Sequence, residues 1–170
     1  MPEQTKPRKS ISINKHTVAL FNFLGKKKLL SAKEEELVVA AIRGAEKNTS
    51  GEIRVYIESH CRFVDPVDRA IEVFYGLKMD KTDDHNGVLI YIALKDRQLA
   101  VYGDEGIHAR VGREFWQNAV SGMLQHFNKA NHIAGICETV AAIGETLKKE
   151  YPYQPNDDKN ELPDEIVFGN

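Results

Sequence analysis

The chain has 170 residues, 23 Lys+Arg against 25 Asp+Glu, and two cysteines. At 42% hydrophobic and 28% charged residues the composition is that of an ordinary globular protein, which excludes global disorder and, at this length, points to one domain. A formal charge of -2 removes the bulk electrostatic case for nucleic-acid binding, and Cys61 with Cys137 cannot build a disulfide scaffold or a four-cysteine zinc module.

Residues 1–28 form a basic N-terminal segment; residues 1–30 hold seven Lys/Arg and one acid. Its apolar run, Thr17 to Gly25, is far short of the roughly 20 residues a bilayer span needs. Lys26, Lys27 and Lys28 follow it where a signal peptide would place small residues. The run is expected to pack on the domain. The alternative is a peripheral membrane contact through residues 17–28, with Phe21, Phe23 and Leu24 at the surface and the lysines on headgroups. With no spanning run and no export signal, the expected compartment is the cytoplasm.

Ser31-Ala32-Lys33-Glu34 is a capping box, and Leu37, Val38, Ala41, Ile42 and Ala45 then fall on one helical face. Glu52 to Glu58 alternates with period two and reads as a strand with Ile53, Val55 and Ile57 inward. Asp65-Pro66 opens a second helix, with Val67, Ala70, Ile71 and Phe74 as its core stripe. Val88 to Leu94 is continuously apolar and suits a central strand covered on both faces. A turn at Lys95-Asp96 returns the chain as an antiparallel partner, Arg97 to Tyr102. Two helices follow, one with the stripe Trp116, Ala119, Val120, Met123, Leu124 and Phe127, the other with Ile133, Cys137, Val140, Ile143 and Leu147. Beyond Tyr151-Pro152 the composition turns acidic and proline-rich, so 151–170 reads as an acidic C-terminal tail, with 155–170 mobile like 1–15. The expected fold class is α/β: over residues 29–150, an α/β/α sandwich whose small mixed sheet has two parallel strands plus an antiparallel hairpin partner, covered by helices.

Phosphate-loop, dinucleotide, zincin and nucleophile-elbow motifs are absent from the sequence. Chemistry is better sought at one end of the sheet. A hairpin centred on Lys95-Asp96 places Val88 opposite Gly103, so the loop Asp80–Gly87 and the turn Gly103–His108 emerge together. That gathers Asp83, Asp84, His85, Asn86, Gly87, Asp104, Glu105 and His108 as candidate binding residues, with His85 and His108 expected close to Asp104. Carboxylates in such a group suit Ca2+ or Mg2+, whereas two imidazoles bias it toward Zn2+. The candidate metal ligands are Asp84, His85, Asp104 and His108. The plainer alternative is a pair of solvated turns, since Asp, Asn and Gly are turn residues anyway. His60, Cys61 and Arg62 form a weaker candidate beyond the first strand, where a nearby cation can lower a thiol pKa.

Ser50-Gly51-Glu52-Ile53, the stretch His85 to Ala93, and Gly103-Asp104-Glu105-Gly106-Ile107-His108 with Val111-Gly112 and Phe115-Trp116 together resemble the TPM domain family, over roughly residues 29–150. The resemblance implies an α/β/α sandwich with an acidic cleft. It also implies the properties associated with members: acid phosphatase activity, Ca2+ binding, and assembly or repair of membrane complexes. Many members carry carboxylates where this chain has His85 and His108. The expected function is a protein-binding or assembly/repair accessory factor with a protein partner, membrane-bound or not, and no nucleic acid. The alternative is a metal-dependent, acid-phosphatase-like hydrolase holding a divalent Ca, Mg or Zn ion in the acidic/His cluster.

Overall fold

A computed structural model describes residues 28–156 and 159–169. The basic N-terminal expectations for residues 1–27 lie outside them.

Helix α1 spans Ala32–Glu46 and starts as its sequence requires. The Ser31 hydroxyl accepts the Glu34 amide, and the Glu34 carboxylate accepts the Ser31 amide at 2.7 Å. Val38 and Ile42 are buried, but Leu37 stays half exposed, off the core face. Strand β1 (Glu52–Glu58) leads through helix α2 (Pro66–Gly76) to strand β2 (Gly87–Ala93), and a hairpin continues to strand β3 (Gln98–Gly103). Asp65 caps α2 by accepting the Val67 amide at 2.8 Å, ahead of Pro66. Helices α3 (Glu105–Asn128) and α4 (His132–Glu150) follow, then a two-residue strand β4 (Val167–Phe168).

The sheet order is β3-β2-β1-β4. β1 and β2 run parallel with Ile53 beside Val88; β2 and β3 run antiparallel with Val88 beside Gly103. Every residue of β2 is buried, as expected of an apolar run between two covered faces. One face presents Ile53, Val55, Ile57, Val88, Ile90 and Ile92 to α1, α3 and α4. The other presents Leu89, Tyr91 and Ala93 to α2, where they meet Phe74 and Met79. The fold is the expected α/β/α sandwich.

Three differences bear on function. Helix α3 begins at Glu105, so what reads as a turn through His108 is its first turn, capped by Asp104. The helix is interrupted at Gly112, whose φ of 74° suits a residue without Cβ. Val67, read as core, is half exposed.

The third difference is the segment read as a free tail. Tyr151 is buried, and its carbonyl accepts the Thr49 hydroxyl at 2.6 Å and the Ser50 amide at 3.2 Å. Further on, the Glu52 carboxylate accepts the amides of Glu161 and Leu162, Arg43 pairs with Asp164, and β4 adds parallel to β1. The cause is the second face of β1. Its side chains there include Glu52, Arg54 and Glu58, all buried, and charged groups on a strand need partners that helices of apolar stripe do not supply. The C-terminal segment supplies some of them. Glu58 is served by α2, where Arg69 meets both its oxygens at 3.0 Å, and by β2, where the Tyr91 hydroxyl donates to the same carboxylate, while Arg54 Nε has no hydrogen-bond partner among the described residues.

Candidate functional site

Three chain segments meet at the N-terminal ends of β1 and β2 because small residues permit it. A Cβ on Gly106 would stand 2.6 Å from the carbonyl oxygens of both Asp84 and His85. A Cβ on Gly103 would meet the Trp116 ring at 2.3 Å. The glycines of this segment thus bring the β2 loop and the start of α3 into direct contact. The Ile107 amide then donates to the His85 carbonyl at 3.1 Å, and the Asp104 amide to the Gly87 carbonyl at 2.9 Å.

Asp104 and His85 are the chemical centre. Asp104 is buried and has two tasks: Oδ1 accepts the Glu105 amide at 2.8 Å, and Oδ2 lies 3.0 Å from His85 Nδ1. Nδ1 therefore carries a proton and donates a hydrogen bond to the carboxylate, so that in the neutral ring the lone pair is on Nε2. Nε2 has no hydrogen-bond partner among the described residues, and the ring is 47% exposed. A carboxylate-oriented imidazole with an open basic nitrogen can accept a proton or a hydrogen bond from a ligand. His85 adopts φ 50°, a left-handed conformation that His tolerates better than bulkier or branched residues.

The other candidates are engaged elsewhere. His108 Nδ1 accepts the Trp116 indole N–H at 3.0 Å, so its ring proton sits on Nε2. Asp84 accepts the Ser50 hydroxyl at 3.3 Å. Asp83 is exposed, and its amide donates to the Glu161 carboxylate. Glu105 is exposed, 3.9 Å from His85 Nδ1. Asn86 is fully buried as a strut: Nδ2 donates to the Ser50 carbonyl at 3.1 Å, while Oδ1 has no partner among the described residues. Gly87 opens β2.

The side chains of Asp84, His85, Asp104 and His108 do not fit a common metal. Among the described residues no three His, Cys, Asp or Glu groups are disposed to hold one. The His85 nitrogen nearest Asp104 is committed to it, and a His108 ring protonated on Nε2 offers no lone pair while it accepts from Trp116.

Sequence reasoning missed the surface beside this pair. A groove of about 1110 Å³ runs along β3 between α2 and α3. Its apolar walls include Leu99, Val101, Trp116 and Val120, with Val67 and Tyr75 from α2. His85, Asp104, Glu105 and His108 stand on its lining at the C-terminal end of β3. The helical stripes were the available signal: Val67 and Val120 complete them, yet neither is buried. Burial, with Tyr75 beside it, pushes the Tyr102 phenol up to about 12, so it stays protonated on this surface. At the opposite sheet end, His60 Nδ1 lies 2.7 Å from Asp96, which also accepts the Cys61 amide. Cys61 itself is buried, its thiol donating to the Val64 carbonyl.

A model described as "TPM domain" matches residues 25–146. Among solved structures, the BA42 protein of the psychrophilic bacterium Bizionia argentinensis is 42% identical, with a TM-score of 0.78 over 86% of this chain and 99% of that one. The N-terminal domain of a protein from P. gingivalis is 19% identical with a TM-score of 0.63, over 74% of this chain and 82% of that one. The N-terminal domain of cg2496 from Corynebacterium glutamicum is 15% identical with a TM-score of 0.57, over 70% and 74%. The last two likenesses carry the fold alone. No curated protein gives a significant match.

Proposed function

This chain belongs to the TPM domain family, and from that premise we propose that it is a protein-binding accessory domain whose binding surface is the groove along β3. One observation carries the reading. The groove is broad and mainly apolar, and half-exposed Val67 and Tyr75 join its lining. An apolar surface of that extent beside a few placed polar groups is the usual character of a recognition site. The test is a variant that fills the groove without touching the core. Val120→Arg should keep its melting temperature within a few degrees and lose a stoichiometric partner that copurifies with the unaltered protein. A partner retained by Val120→Arg removes the reading.

A second reading, hydrolysis of a phosphate ester, is favoured by the His85–Asp104 pair. With Nδ1 held by Asp104, Nε2 is placed to take a proton from an attacking group or return one to a leaving group. The donor geometry assigns no step to a metal. A generic phosphate ester, assayed at several pH values with and without Mg2+, Ca2+, Mn2+ or Zn2+, tests it. Turnover should fall by about 100-fold or more in His85→Ala. Equal rates for the variant and the unaltered protein remove hydrolysis at this site.

A further inference from the structure

Among the described residues strand β3 is an edge of the sheet, and its register with β2 determines which of its backbone groups face away from β2. The Asp104 amide donates to Gly87 O, which makes 87/104 a hydrogen-bonded pair. In an antiparallel ladder such pairs alternate, so Tyr102 and Ala100 also face β2. Leu99, Val101 and Gly103 therefore turn their N–H and C=O groups outward. No backbone or side-chain partner meets these groups among the described residues.

Edge strands are ordinarily blunted by charge, proline, a bulge or a covering element. The outward-facing positions of β3 are Leu99, Val101 and Gly103, and none is charged or proline. Five consecutive β3 residues, Leu99 to Gly103, line the groove. Alternate side chains of a strand point to opposite faces, so a surface touching all five must wrap the edge itself. Helices α2 and α3 flank that edge with Val67, Tyr75, Trp116 and Val120. A recess between two helices admits one extended chain and excludes the edge of a second sheet, which disfavours a second copy of this domain. At the C-terminal end of β3 the exposed Glu105 stands beside His85, His108 and the buried Asp104, whose oxygens are already bonded, while Lys81 and Arg113 also line the recess.

We propose that β3 accepts an extended segment of a partner protein as an added strand, with apolar side chains seated against α2 and α3 and a basic side chain beside the exposed Glu105. The inference rests on the binding-domain reading and specifies how the partner is held: main-chain bonds supply affinity, and the pockets on either side supply specificity.

The probe is an eight-residue peptide of alternating valine and threonine with a lysine at each end. At saturation, amide exchange of Leu99, Val101 and Gly103 should slow by about tenfold or more, while Ala100 and Tyr102, already bonded to β2, should not change. The same peptide with every backbone nitrogen methylated should not bind. Val101→Pro, which removes an outward N–H together with the valine side chain, should stay folded and lose the peptide, while Val101→Ala, which keeps that N–H, should still show protection of Leu99 and Gly103 at saturation. Equal binding of the methylated peptide, binding without protection of the three amides, or no binding at millimolar peptide each overturn strand addition. Protection of the three amides in the protein alone, abolished by deleting residues 1–27, would make the chain's own N-terminal segment the occupant and overturn a partner strand. A partner lost in Val120→Arg that leaves these amides unprotected would overturn strand addition while the binding-domain reading stands.

Discussion

At the scale of single residues, the fold is built by two kinds of side chain: those that must be absent and those that must be held. Gly106 is of the first kind. Its would-be Cβ meets two backbone oxygens at 2.6 Å, and backbone cannot swing aside as a flexible side chain can. Gly106→Ala should therefore cost about 1–3 kcal/mol in chemical denaturation and disturb the His85 and Ile107 amide resonances. Glu58 is of the second kind. Burial alone would raise its carboxyl, but the Arg69 and Tyr91 bonds more than offset this and hold it below the usual range. Arg69→Met should cost about 2–3 kcal/mol by leaving that carboxylate buried without its cation. Adding Glu58→Gln should recover part of the loss; a double mutant no more stable than Arg69→Met would show that the pair is not the cause. The site residues were legible as a neighbourhood, because register alone brings His85 and Asp104 to one sheet end. The division of labour among them was not. Nothing in the spacing says that Trp116, eight positions along, takes His108, or that Ser50 takes Asp84 and Asn86.

At the scale of elements, strand β1 shows how one segment can carry two different faces. Its odd positions are apolar and pack under the helices, while Glu52, Arg54 and Glu58 on the other face are also buried. Near its start, Glu46 of α1 accepts the Ile53 amide at 2.7 Å, and Glu52 holds the C-terminal segment. Burial, with neighbouring acidic groups, pushes Glu46 up to about 8 and Glu52 up to about 7. An acid whose folded pKa is raised holds its proton more tightly in the native state than in the unfolded chain. Stability from these two groups is therefore full below about pH 4.5 and falls as pH rises toward 7 to 8. Glu46→Gln and Glu52→Gln should each flatten the decline in denaturation midpoint between pH 5 and 8. A decline as steep in both variants as in the unaltered protein would place its origin in other groups.

At the scale of the whole molecule, the C-terminal segment closes the structure. It bonds to Thr49 and Ser50 at one end, to Glu52 in the middle, and through the Gly169 amide to the Ile57 carbonyl beyond β4. Because Glu161 also accepts the Asp83 amide, the same segment braces the loop that carries His85. Deleting residues 159–170 should lower the melting temperature by several degrees, expose the β1 edge, and speed exchange at Ile57 and Asp83. Unchanged exchange at Asp83 would separate this segment from the candidate site. In the intact chain one cooperative transition is expected, since the segment shares hydrogen bonds with the sheet and is not a separate unit.

The sequence by itself determined the capping box at Ser31, the buried central strand, the parallel and antiparallel pairings, and the register of the hairpin. Each of these depends on local chemistry or on a period that a short window contains. Only the tertiary structure decided the docked C-terminal segment, the open groove and the hydrogen-bond partners of the candidate site residues. The physical reason is the same in all three. Residues 159–169 bond to a strand about a hundred positions away, Val67 and Val120 have helical spacing but no opposing surface, and His108 turns to Trp116 rather than to Asp84. Periodicity assigns a residue to a face; what stands across from that face is set by packing among distant parts of the chain.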